Sequence, residues 1–79
     1  MNGKQFSFTL LVSKKHNYTP ASLMRDYTRR NAQAHYSRDY YGSALLLIDG
    51  VTYTYDHWKI SPYNDALEQV TVYLQEAAR

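Results

Sequence analysis

Phe6, Phe8, Leu10 and Val12 alternate with Ser7, Thr9, Leu11 and Ser13 near the start of the chain. A period of two sends one set to each side of a strand, so this segment predicts a half-buried β-strand. Lys14 to Tyr18 is polar and reads as a loop. Thr19-Pro20 carries a helix start, because a Thr oxygen accepts a bond from a free first-turn N–H and Pro suits the first helical position. At about 100° per residue, Leu23, Met24, Tyr27, Asn31 and Ala34 share one face, with Arg25, Arg29 and Tyr36 opposite. The pattern predicts a helix that fades around His35 to Ser37.

Ala44 to Ile48 and Val51 to Tyr55 flank Asp49-Gly50. A two-residue Asp-Gly loop favours positive φ at both positions and is a strong hairpin signal. It sets Ile48 opposite Val51, Leu46 opposite Tyr53 and Ala44 opposite Tyr55 on one face, with Leu45, Leu47, Thr52 and Thr54 on the other. Ser61-Pro62 then repeats the helix-start signal. Tyr63, Ala66, Leu67, Val70, Tyr73, Leu74 and Ala77 follow at helical spacing and predict a second helix near the C-terminus.

The expected order is therefore β-α-β-β-α in a single α+β domain over residues 1–79. Its architecture is a two-layer sandwich, with a three-stranded, mostly antiparallel sheet and two helices on one face. The third strand lies between the other two, or the first pairs directly with the second; the pattern leaves both orders open. Two helices cover one sheet face only. Leu11, Leu45 and Leu47 are then expected to face outward among Thr9, Thr52 and Thr54, as an apolar patch for a partner or for a homodimer through the open sheet face. The competing expectation is that Trp58 or a terminus covers them.

Composition adds constraints. Cysteine is absent, which excludes disulfide bracing and thiolate zinc sites in a chain of only 79 residues. Nine Tyr are too many for so small a core with every hydroxyl paired, so some are expected at the surface, where Tyr is a common contact residue. No apolar run approaches the roughly 20 residues of a membrane span, and the N-terminus lacks the charged-then-apolar order of a signal peptide. No membrane partner and a cytoplasmic location are the resulting expectations. Net charge is +2, but Met1 to Tyr41 holds seven Lys/Arg against two Asp, while Gly42 to Arg79 holds two against five acidic residues. A cationic first half meets an anionic second half.

The densest chemistry falls between Tyr27 and Tyr41. Arg25, Arg29, Arg30, Tyr36, Arg38, Tyr40 and Tyr41 are the expected partner-binding residues. Arg brings a planar fork of donors and Tyr a large contact area at low entropy cost. The plain alternative is a solvated helix face with Tyr40 and Tyr41 packing at the mouth of the core. The same residues suit nucleic acid, with Arg on phosphate and Tyr on bases, although no helix-turn-helix, zinc-finger or RNP signature occurs.

His16, His35 and His57 match no spaced ligand set, so no metal is expected. Asp56 and His57 are adjacent and would point to opposite faces of a strand. No nucleophile turn is present, and Gly3, Gly42 and Gly50 form no phosphate-cradling loop. Hence no catalytic residue, no cofactor and no enzymatic activity are expected. In size, lack of cysteine and motif-free α/β layout, the whole chain resembles small phage-encoded proteins that disable host machinery, anti-CRISPR proteins among them. That resemblance implies stoichiometric binding to a host nuclease or ribonucleoprotein surveillance complex in the host cytoplasm. The basic first half departs from inhibitors that mimic nucleic acid through acidic composition.

Overall fold

A computed structural model describes residues 3–77. Its element order is β1 (Gln5–Ser13), α1 (Pro20–Arg30), β2 (Ala34–Arg38), β3 (Ala44–Ile48), β4 (Val51–Pro62) and β5 (Leu67–Glu76). The five strands form one antiparallel, curled sheet in the order β1-β5-β4-β3-β2, with α1 on one face. The molecule is thus mostly β, and the expected three-stranded sheet with two helices does not form.

Three local expectations match the structure. β1 keeps the alternation that buries Phe8 and Val12. Thr19 caps α1 in a reciprocal box with Ser22, and Pro20 opens the helix. Asp49 (φ 50°) and Gly50 (φ 80°) turn the β3–β4 hairpin with Ile48 opposite Val51 and Leu46 opposite Tyr53.

Two corrections follow from competing periodicities. The helix ends at Arg30, where Asn31 leaves helical geometry and its side-chain amide donates to the Tyr27 carbonyl at 2.9 Å. Ala34–Arg38 instead becomes β2, which buries Ala34 and pairs with β3 along its whole length. The expected C-terminal helix is absent because β4 runs on through Pro62 and the chain reverses at Asn64. The Asn64 carboxamide oxygen holds that turn, accepting from the N–H of Ala66 (2.9 Å) and of Leu67 (2.8 Å). The helical stripe from Tyr63 to Ala77 coexists with an alternation of Val70, Val72 and Leu74 against Thr71, Tyr73 and Gln75. β-Branched residues favour the strand, and β5 occupies the second place in the sheet, bonded to β1 on one side and β4 on the other.

The core lies between the sheet and α1. Leu23 and Met24 meet Leu46, Tyr53, Val70, Val72 and Leu74, all buried. The helix sits across the middle of the sheet. Tyr27 reaches β1 on one side, stacked on Phe8 with ring centroids 4.5 Å apart, while Arg25 reaches Tyr36 of β2 on the other. Trp58, considered above as a cover for the leucines, points to the helix face and meets the edge of the Tyr18 ring at 5.4 Å. Among the described residues no helix is long and apolar enough to cross a membrane.

Candidate functional site

The β2–β3 connection is the most exposed aromatic feature of the molecule. Gly42 N–H donates to the Asp39 carbonyl and Asp39 N–H to the Ser43 carbonyl, each at 3.0 Å, and Gly42 adopts φ +85°. This is a type I turn closed by a left-handed residue, a common way to join strands by three residues. The Asp39 carboxylate oxygen accepts from the N–H of Tyr41 and of Ser43, both at 2.9 Å. Turn positions have no core to reach, so Tyr40 stands 94% exposed and Tyr41 87%. Their rings touch edge to face, with centroids 5.2 Å apart. They do not pack at the mouth of the core.

The seven expected contact residues form a strip rather than a cluster. α1 begins beside Asp39, Ser43 and Ala44, across a cleft of about 410 Å³ that Pro20, Ala21 and Met24 also line. It ends next to the start of β2, so Arg29 and Arg30 lie at the far end from Tyr40 and Tyr41, roughly 16 Å along an eleven-residue helix. Between them Arg25 lays its guanidinium 5.1 Å from the centre of the Tyr36 ring. Tyr36 is half-buried, and its hydroxyl is buried without a hydrogen-bond partner among the described residues. Arg29 contacts Asp26 at 3.4 Å on an exposed face, a pair of small energetic weight. Both Arg29 and Arg30 sit in the last helical turn, where positive charge complements the helix dipole. Arg38 closes β2 beside the turn.

β2 is an edge strand, which adds backbone to this strip. The Asp39–Ser43 bond fixes the ladder phase, so odd residues of β2 bond β3. The N–H and C=O of Tyr36 and Arg38 therefore face the free side, under Arg25 and next to the exposed tyrosines.

Leu11, Leu45 and Leu47 all lie on the face opposite α1, but they do not form one patch. Leu45 and Leu47 neighbour Thr54 and Thr52 on β4, whereas Leu11 pairs with Gln69, which pairs with Ser61. Thr52 and Ser61 are nine positions apart on one strand, roughly 30 Å. The long β4 strand and its place between β5 and β3 separate the leucines.

A second cluster on the open face escaped the sequence reading. Between Tyr55 and His57 the β4–β5 register shifts by a bulge at Asp56. The extra residue brings Asp56 and His57 together instead of on opposite faces, with Asp56 Oδ2 2.7 Å from His57 Nδ1. The His57 ring stacks on Tyr73 at 4.5 Å and 5°, and Lys59 Nζ stands 5.7 Å from the same Tyr73 ring. A shallow cleft of about 220 Å³ runs from this group to Gln5 and Ser7. A signal for the bulge exists in the sequence: Tyr53 and Tyr55 occupy odd inner positions while Trp58 and Ile60 occupy even ones, and one extra residue must absorb the change of parity. Among the described residues no group of three or more His, Cys, Asp or Glu is placed to hold a metal ion.

Comparison of the chain with family models, with curated proteins and with solved structures gives no match.

Proposed function

We propose that this chain is a non-enzymatic binding protein that masks or inhibits a macromolecular partner through the strip formed by the β2–β3 turn, the edge of β2 and the Arg-bearing side of α1. The observation that carries the reading is the pair Tyr40 and Tyr41, held almost fully in water on a turn whose backbone is fixed by Asp39. Large rings on a rigid turn lose little entropy on docking and gain the full contact area. Arg25 and Arg38 add donor forks for carboxylates on a protein partner. Small size, lack of cysteine and absence of catalytic motifs, which the chain shares with small phage-encoded inhibitors, direct the reading to a host nuclease or ribonucleoprotein defence complex.

A second reading uses the same residues on nucleic acid, since exposed Tyr rings beside Arg side chains can stack on bases and bind phosphate.

Affinity capture with quantitative mass spectrometry separates the two. Wild-type chain is expected to retain a defined protein complex stoichiometrically at moderate salt. Tyr40→Ala with Tyr41→Ala is expected to lose it while unfolding at nearly the same temperature. Equal capture by the double variant removes the reading. Affinity for bare RNA or DNA that falls steeply with salt replaces it with the second one.

A further inference from the structure

Among the described residues the sheet has a second free edge, far from the tyrosine turn. β1 is a nine-residue edge strand with no proline and no bulge. Its ladder phase is fixed at both ends: Glu76 N–H donates to the Lys4 carbonyl at 2.8 Å, and Lys14 N–H donates to the Ala66 carbonyl at 3.0 Å. Antiparallel alternation then assigns the even residues of β1 to β5. The N–H and C=O groups of Gln5, Ser7, Thr9 and Leu11 point to the free side, as does the Ser13 N–H, while the Ser13 carbonyl accepts from His16 N–H at 3.0 Å. β2, the opposite edge, offers only Tyr36 and Arg38 in this way.

Such an edge is a template for another strand, and proteins usually guard it with charge, proline or a bulge. Here the guard is charge at the ends alone. Lys4 precedes the strand and Lys14 and Lys15 follow it, all exposed and none in an ion pair among the described residues. In the register that pairs the full strand with a second copy about Thr9, Lys4 of one chain falls opposite Lys14 of the other. Like charges directly opposite oppose that pairing. The same lysines favour a strand with acidic residues at its ends, whichever direction it runs. Apolar side chains on alternate positions of that strand would cover Phe6 and Leu10, which the molecule leaves half-buried. Small hydroxyl residues on the other positions would meet Ser7 and Thr9.

We propose that the free edge of β1 is a strand-addition site for an extended segment of a protein partner, in which alternating apolar and hydroxyl residues are flanked by acidic ones. The occupant gains backbone bonds to Gln5, Ser7, Thr9 and Leu11 and charge contacts to Lys4, Lys14 and Lys15.

The probe is a synthetic peptide of alternating valine and threonine with two glutamates at each end, compared with its lysine-ended counterpart. NMR hydrogen exchange reads the amides one by one. The acidic peptide is expected to bind roughly tenfold more tightly than the lysine-ended one, and to slow exchange at Ser7, Thr9 and Leu11. The triple variant Lys4→Glu, Lys14→Glu, Lys15→Glu, which alters exposed side chains only, is expected to reverse the preference. Ser7→Pro removes an outward N–H without breaking a bond to β5 and is expected to weaken binding. Tyr40→Ala is expected to leave it unchanged, which separates this site from the turn. Protection at Tyr36 and Arg38 instead, no protection at all, or a preference unmoved by the triple variant overturns the proposal. Concentration-dependent dimers with the β1 amides protected in the absence of peptide overturn it in favour of a second copy.

Discussion

Asp56 and His57, consecutive in the chain, lie on the same side of a β-bulge with their side chains 2.7 Å apart. The bulged residue is the one that the ladder does not need, so deleting Asp56 restores a regular strand and keeps Tyr55, Trp58 and Ile60 on the helix face. The deletion variant is expected to fold, with its stability changed by about 1 kcal/mol or less. Deleting Thr71 from β5, where no bulge exists, shifts register and turns one end of the buried set outward, and is expected to abolish cooperative unfolding. Urea titration followed by Trp58 fluorescence checks both.

Leu46 and Leu47 test the two faces of the sheet with one substitution. Leu46 has no exposed surface, whereas Leu47 is 37% exposed on the side without a helix. Leu46→Ala is expected to cost about 2–5 kcal/mol and Leu47→Ala under about 1 kcal/mol, measured by the same titration.

Tyr18 donates a hydrogen bond to Glu68 Oε2 at 2.7 Å and closes one end of the core against Trp58. Burial, then the hydrogen bond and negative charge of Glu68, push the Tyr18 hydroxyl up to about 12 from 10.0. Below pH 10 both folded and unfolded chains hold this proton, and its stabilising effect is complete. Between pH 10 and 12 the unfolded chain releases it and the folded chain does not, so stability falls as pH rises. Tyr18→Phe is expected to remove that part of the alkaline slope and to cost about 1 kcal/mol at neutral pH through the lost hydrogen bond. Thermal unfolding across pH 8 to about 11.5 reads the difference in slope.

Asp39 supports the exposed tyrosines without presenting them. Its carboxylate accepts two turn N–H groups, and Gly42 supplies the left-handed residue at φ +85°. Asp39→Ala and Gly42→Ala are each expected to cost about 1 kcal/mol of stability. Both are expected to lower affinity for the captured partner although Tyr40 and Tyr41 are intact, because a loosened turn must be ordered again on binding. Calorimetric titration with the isolated partner checks this.

What could be read from the chain was local. Thr19, Pro20 and Ser22 specify the start of α1 by their own hydrogen-bonding and dihedral preferences, and Asp49-Gly50 specifies a hairpin in the same way. The alternation of β1 also stands alone, since it involves neighbours two positions apart. The surplus of tyrosine over core volume implied that some tyrosines lie at the surface, but not that Tyr40 and Tyr41 are the most exposed, nor the turn that presents them.

Where two periodicities coexisted, the sheet decided. Residues 63–77 carry a helical stripe and a strand alternation together, and the strand prevails where β1 and β4 lie on either side to bond its backbone. Residues 34–38 leave the helix for the same reason, with β3 as the partner. Backbone groups gain hydrogen bonds from distant segments only after the chain has closed on itself, and no window of sequence contains that term. The separation of Leu11 from Leu45 and Leu47 and the two free edges are consequences of strand order, which tertiary pairing alone sets.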